Sequence, residues 1–496
     1  MKVIHDWLAF WNSHSPKHIA LVDGESLESW SYSELFKRAQ SGAHFLSACE
    51  QLQKGDRIAY IGQNDLSVVS LFFACARLGV ILVPINYRLS PREISYILSN
   101  SESKVAICDQ EFESLAVESS QFVENRPKIL QLKNFQQESI KDHPHPEFHS
   151  EEQDPAMIIY TSGTTGFPKG AVISHGGLFW NAVSTSMRLN ITQNDVAVTF
   201  LPFFHTGGWN VLTTPFLNRG AKIILTQKFI PDQILKLSQD FRATLLFGVP
   251  TTMNLMARSS CFQEFDLRTL RYAIVGGEPM SLELIKIWHE KGIYIRQGYG
   301  LTEFGPNVFS LNEEDAISKI GSIGFANAYI QTQVVKEDGQ NARAGEVGEL
   351  WLKGPAAMLG YWKNDVATQE TFVSGWLKTG DLVRFDKEGY FYVVGRKKEM
   401  FKSGGENVYP VEVEQVLSQV PWVVEVAVIG IPDEKWGEVG KAYIVCKKEK
   451  YNPQELFDHC SKNLAKFKIP KIFDWIPELP KAGSGKVLKR ELGATR

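Results

Sequence analysis

No two cysteines in this chain stand at C-x-x-C or any other tight spacing; the six lie at Cys49, Cys75, Cys108, Cys261, Cys446 and Cys460. A zinc site or disulfide framework therefore has no support, and reduced thiols in a cytoplasm fit best. Net charge is scarce as well. The 53 Lys and Arg against 56 Asp and Glu leave −3 at pH 7, so no footprint for nucleic acid or an anionic membrane is visible. Long apolar runs are missing. The most apolar stretch, VVSLFFACARLGVILVP (68–84), is interrupted by Arg77 and Gly79 and reads as a buried helix followed by a strand, not a bilayer span. The N-terminal MKVIHDWLAFWN lacks an uninterrupted apolar segment and a small-residue cleavage site, and the C-terminal GATR is no peroxisomal address. These absences predict a soluble cytoplasmic protein with no stable membrane insertion and no nucleic-acid partner.

Two familiar phosphate signatures are absent too. YTSGTTGFPKG (160–170) packs hydroxyls, glycines and one lysine behind the apolar run AMIIY, yet Phe167 and Pro168 separate Gly166 from Lys169. A Walker loop requires glycine directly before lysine and Ser or Thr after it, so this is no P-loop. GSGK (483–486) fails because Val487 follows, and GYGLTE (298–303) has Glu303 where a dinucleotide fingerprint needs glycine. What remains in YTSGTTGFPKG is still chemistry for phosphate. Glycines let backbone N–H groups face an anion, hydroxyls donate further bonds, and Lys169 adds a mobile charge.

At 496 residues, 44% apolar and 22% charged, the chain is a globular protein too long for one core. Strand-like runs alternate with helical patterns, which predicts parallel α/β layers. LRYAIVGG is a strand ending at Gly276-Gly277, Ser281 caps the helix that follows, and Gly292 stops it. The polar, proline-broken segment 141–154 reads as a connector; its His143, His145 and His149 have no evident partner ligand. Composition changes near Gly395, at GRKKEMFKSGGENVYP. Beyond it, Pro410 opens a helix, VVEVAVIGIP is a strand, Asn452-Pro453 with Glu455 starts another helix, and KIFDWI is a last strand. The expected architecture is a large multi-lobed N-terminal domain, residues 1–394, and a small mobile α+β domain, residues 395–496.

YTSGTTGFPKG, GYGLTE, GWLKTGD (375–381), GRKKEMFKSGGENVYP and GSGKVLKREL occur in that order across the whole chain. With this set the chain resembles the adenylate-forming superfamily of acyl-CoA synthetases, peptide-synthetase adenylation domains and firefly-type luciferases. INYRLSPREISYIL and LPFFHTGG bring it nearest to the AMP-forming fatty- and aryl-acid CoA ligases. The resemblance implies ATP, Mg²⁺ and coenzyme A as co-substrates of a small carboxylic acid. It implies that Thr161, Ser162, Gly163, Thr164, Thr165, Gly166 and Lys169 grip the phosphates, and that Glu303 helps hold Mg²⁺ while Thr302 nears the α-phosphate. Tyr299 and Gly300 lie along the adenine, with Gly277 and Glu278 on its other side. Asp381 and Arg396 take the ribose, because a carboxylate accepts two hydroxyl hydrogen bonds. Lys486 is the catalytic cation of adenylation, and Lys398 falls on the hinge about which the small domain turns. Gly404 and Gly405 border the pantetheine tunnel, with Trp436 either beside them or simply packed. His205 lies at the acyl entrance, and Trp209 is either its gate or a core aromatic. The expected acid is a medium or long fatty acid; an aryl acid such as o-succinylbenzoate, and transfer to a carrier-protein thiol, remain alternatives. A homo-oligomer is left open.

Overall fold

The computed structural model describes residues 6–144, 146–161, 167–481 and 487–494. Apolar run after apolar run becomes a strand, and many of these strands are followed by a helix. The stretch that looked most membrane-like shows how. Leu66–Leu78 is a helix buried along its whole length, capped by Asp65 and ended by Gly79 at φ +70, and Ile81–Ile85 is the strand that follows. Arg77 is tolerated there because its guanidinium pairs with Asp6 and donates to the carbonyl oxygen of Pro146. No helix among the described residues is long and apolar enough to cross a membrane.

The chain packs as two units, residues 1–331 with 352–377, and residues 332–351 with 378–496. The second unit thus takes in 332–351 and 378–394 as well as the expected 395–496. In the first unit, one sheet of the described residues runs in the order Gly360–Tyr361, Lys169–Ser174, Pro155–Thr161, Ile81–Ile85, Arg57–Ile61, Val105–Cys108, Lys128–Gln131. Its pairings are parallel from Pro155–Thr161 onward. A second sheet carries Ile19–Asp23, Lys222–Leu225, Val196–Thr199, Leu245–Gly248, Tyr272–Val275 and Ile295–Leu301 side by side, all parallel. Parallel strands of this kind place their following loops at one edge, which is where α/β proteins bind ligands. The α/β reading holds.

In the second unit, Asp381 in the strand Trp376–Phe385 pairs antiparallel with Arg396 in Phe391–Arg396. A further sheet joins Glu406–Val408, Phe401–Ser403, Gly437–Val445 and Glu425–Asp433, with Ile472–Trp475 parallel to Gly437–Val445. The helices Pro410–Leu417 and Pro453–Asn463 pack on it around Val413, Leu417, Val428, Ile444 and Leu456. Asn452 caps the latter as its sequence foretold. The connector 141–154 carries neither helix nor strand among its described residues. His143 lies 3.4 Å from Glu138 and stacks on His44, and no cluster suited to a metal forms among the described residues. His145 lies outside them.

Candidate active site

Strand Pro155–Thr161 returns antiparallel as Lys169–Ser174, with Thr161 opposite Lys169. The Thr161 hydroxyl donates to the Lys169 carbonyl oxygen at 3.4 Å. Ser162, Gly163, Thr164, Thr165 and Gly166 lie outside the described residues. Lys169 sends its ammonium to 5.3 Å from the centre of the Tyr361 ring. The Tyr361 hydroxyl in turn donates to Glu303 Oε1 at 2.9 Å. Two residues assigned by resemblance to phosphate and to Mg²⁺, 134 positions apart in the chain (303 − 169), therefore meet on one tyrosine. Tyr361 itself escaped the sequence reading. A tyrosine after glycine in GYW carries no chemical signal until Gly360–Tyr361 pairs with Val172 and Ala171.

Glu303 follows the strand Ile295–Leu301, which also presents Tyr299, Gly300 and, in the turn beyond, Thr302. The strand bulges between Tyr299 and Leu301 against Gly305–Ser310. A Cβ on Gly300 would come within 2.2 Å of the Pro306 backbone, so only glycine fits. Tyr299 stands edge-on to Phe309 at 5.9 Å. Gly277, at φ +86, turns the chain after Tyr272–Val275. Gln297 Nε2 donates at 3.2 Å to both the Val275 and Glu278 carbonyl oxygens and so ties GGEP to the Tyr299 strand. Gln297 is a second residue that sequence reasoning missed. The donor set suits Mg²⁺. Glu303 is a half-buried carboxylate, one oxygen of which Tyr361 holds. No cluster of three protein ligands forms among the described residues, so an ion beside Glu303 would need phosphate and water oxygens, which suits Mg²⁺.

In the second unit, Asp381 is 3% exposed, and its Oδ1 lies 2.6 Å from Arg396 Nε. Its N–H donates to Thr379 Oγ1 at 3.0 Å. Glu349, which the sequence reading passed over, holds the loop on either side: Gly380 N–H at 3.2 Å and Lys397 Nζ at 3.0 Å. Lys398 sits in the next turn, where Glu399 and Met400 N–H groups both donate to the Arg396 carbonyl oxygen. Gly404 and Gly405, at φ +62 and +87, form a two-residue hairpin between Phe401–Ser403 and Glu406–Val408. Gly404 N–H donates to the Trp436 carbonyl oxygen at 2.8 Å, and a Cβ at Gly404 would lie 2.8 Å from the indole. The indole is 38% exposed, with Lys435 and Lys471 ammoniums 5.3 and 5.8 Å from its ring. Trp436 and the glycine pair thus form one surface. Lys486 lies outside the described residues.

His205 opens the short helix Thr206–Asn210. Its Nε2 is buried without a partner among the described residues, and burial followed by the charge of Arg88 pushes the imidazole down to about 4. Trp209 is 0% exposed. It stacks on Phe203 at 4.1 Å and 19°, meets Phe72 at 5.4 Å, and belongs to the main core of its unit. Gly208 beside it leaves no slack, since a Cβ there would sit 2.4 Å from the Pro202 oxygen.

Known proteins carry the same organisation. The AMP-binding enzyme family matches residues 8–362, and the AMP-binding enzyme C-terminal domain matches residues 412–486. A feruloyl-CoA synthase of Amycolatopsis sp is 36% identical over 463 residues, covering 93% of each chain. The long-chain-fatty-acid–CoA ligase FadD13 of Mycobacterium tuberculosis is 36% identical over 487 residues, 96% of this chain and 95% of that one. Among solved structures, the o-succinylbenzoate CoA synthetase of Bacillus subtilis with its acyl-adenylate intermediate OSB-AMP superposes with a TM-score of 0.91 at 33% identity, over 99% of this chain and 98% of that one. The same synthetase in complex with ATP and magnesium ion gives a TM-score of 0.90 at 32% identity, over 98% and 99%.

Proposed function

The chain belongs to the AMP-binding enzyme family, and from that premise we propose that it joins a compact hydrophobic carboxylic acid, aryl or medium-chain, to coenzyme A. The reaction class itself is that of an ATP-dependent, AMP-forming acid–thiol ligase, with ATP, Mg²⁺ and coenzyme A as its co-substrates.

In the first step the acid carboxylate attacks the α-phosphate of ATP, giving acyl-adenylate and pyrophosphate. Two anions meet, so positive charge has to converge there. Lys169 and Lys486 supply it from the protein, and Glu303 would help hold a Mg²⁺ that would neutralise phosphate charge. Thr161 and its neighbours position the phosphates, and Thr302 approaches the α-phosphate. Tyr299, Gly300, Gly277 and Glu278 border the adenine; Asp381 and Arg396 hold the ribose. In the second step the coenzyme A thiol attacks the mixed anhydride and AMP leaves. A turn of the small domain about Lys398 exchanges Lys486 for the Gly404–Gly405 loop and Trp436. The single observation that supports the catalytic half is the meeting of Lys169 and Glu303 on Tyr361. It brings together the residue proposed to contact phosphate and the residue proposed to help hold the cation.

The choice of acid rests on Trp209. His205 and Trp209 stand one helical turn apart, and a buried, stacked indole beside the proposed acyl entrance would shorten the room for an acid. A long-chain fatty acid is therefore the second reading, favoured by the FadD13 likeness. Six free cysteines fit a reducing compartment such as the cytoplasm. The test is a screen of acids, from cinnamic and ferulic through octanoic to palmitic, with free coenzyme A and with a carrier protein. Higher kcat/KM for the compact acids with coenzyme A is expected. Preference for palmitate would overturn the acid class, and preference for the carrier protein would overturn coenzyme A as acceptor. Acid-dependent pyrophosphate exchange into ATP separates an enzyme from an adenylate-binding protein without activity.

A further inference from the structure

Asn64 lies between the strand Arg57–Ile61 and the helix Leu66–Leu78, directly before the Asp65 cap, and is buried. Every hydrogen-bonding group of its amide has a partner on a distant segment. Nδ2 donates to the Leu201 carbonyl oxygen at 3.0 Å and to the Thr226 carbonyl oxygen at 3.3 Å. Oδ1 accepts the Phe203 N–H at 3.0 Å. Leu201 and Phe203 follow the strand Val196–Thr199, and Thr226 follows Lys222–Leu225. One amide, placed where a strand of the first sheet ends, thus joins two loops that begin where strands of the second sheet end. The turn that presents it is held as well. Tyr60 O–H donates to the Gln63 carbonyl oxygen at 2.5 Å and to Asp109 Oδ1 at 3.0 Å, and Gln63 N–H donates to Asp109 Oδ2 at 2.7 Å.

The loop so held runs straight into His205 and Trp209. His205 N–H donates to the Pro202 carbonyl oxygen at 3.1 Å, and its ring meets that of Phe204 at 4.5 Å. The Phe203 ring stacks on the Trp209 indole at 4.1 Å. We propose that Asn64 is a positioning residue for the acid: by fixing residues 201–203 it sets the place of the Phe203 ring, and through it of Trp209, beside His205. This rests on the roles given to His205 and Trp209 above. The three bonds call for this side chain. Aspartate would turn a carboxylate on two carbonyl oxygens, glutamine is one methylene longer, and an apolar residue would leave one N–H and two carbonyl oxygens without the amide. A misplacement of about 1 Å can cost roughly a hundredfold in rate, so a wall held this firmly can sort acids.

The experiment measures kcat and KM for cinnamic, octanoic and palmitic acids, KM for ATP, and melting, for Asn64→Ala, Asn64→Ser, Ile97→Ala and Trp209→Ala, each assayed well below its own melting temperature. Asn64→Ala should raise KM for the preferred acid about tenfold and narrow the ranking of the acids, with KM for ATP within about twofold of wild type. Asn64→Ser keeps a hydroxyl for one of the three bonds and should fall between; it takes the place of alanine should that variant not fold. Ile97→Ala opens a cavity in the buried face of the helix Pro91–Ser101 and controls for lost stability. It should melt early and keep the wild-type ranking and KM values. A wild-type ranking and acid KM in the Asn64 variants, equal rises in KM for acid and ATP, or the same shift in Ile97→Ala would overturn the proposal. Trp209→Ala separates the two levels. If it moves the ranking while the Asn64 variants keep it, only the positioning role fails. If it leaves the ranking alone, the reading of the acid pocket has failed, and the proposal with it.

Discussion

The Tyr361 hydroxyl donates to Glu303 at 2.9 Å, with the Lys169 ammonium over the same ring. Tyr361→Phe removes the hydrogen bond and keeps the ring. A bond to a charged acceptor contributes about 1.5–3 kcal/mol. Glu303 should lose its orientation, and the Mg²⁺ concentration for half-maximal pyrophosphate exchange should rise about tenfold, with melting little changed. A Mg²⁺ titration of the exchange reaction checks it; an unshifted midpoint would remove Tyr361 from the site.

Asp381 is buried and bound to Arg396, a pairing that a neutral amide of the same shape would weaken. Asp381→Asn should raise KM for ATP by about tenfold or more, since the ribose hydrogen bonds proposed for it would lose their charged acceptor. The kcat at saturating ATP should fall less. Steady-state kinetics in ATP decide it, and a change confined to kcat would argue against a ribose contact.

Trp209→Ala should act on two observables at once. Removing a fully buried, stacked indole costs about 3–5 kcal/mol of stability. The space released should let longer straight-chain acids in, moving the kcat/KM ranking towards them. A melting curve with an acid series tests both. Early melting with an unchanged ranking would mean that Trp209 does not bound the acid pocket.

His205 makes a pH prediction with a definite sign. Its folded value lies near 4, below the ordinary 6.5, because burial and then Arg88 oppose its charge. At pH 7 and above the ring is neutral folded or unfolded and the group costs nothing. As pH falls from about 6.5 to 4 the unfolded chain takes the proton first, so stability is lost across that window and the loss is complete below it. Melting temperatures from pH 7.5 to 4.5 should fall more steeply for the wild type than for His205→Asn. Parallel curves would refute the assignment.

Local physics made much of this legible in the chain itself. Leu66–Leu78 is helix because of its apolar residues, the Asp65 cap and the Gly79 stop, all within fifteen residues (65–79). Asn452-Pro453 starts a helix, and Gly404-Gly405 make a tight hairpin, for equally local reasons. The ordered motifs named the chemistry because phosphate, ribose and thiol each demand particular groups. Contacts between distant segments were not legible. Nothing near Tyr361 announces Glu303, nothing near Glu349 announces Lys397, and Trp209 reads equally well as door or wall until Phe203 and Phe72 close on it. Backbone preference and residue chemistry are written within a few neighbours, so the sequence by itself determined the elements and the reaction. Which side chain fills a given space depends on sheets assembled from across the chain, and only tertiary structure decided that.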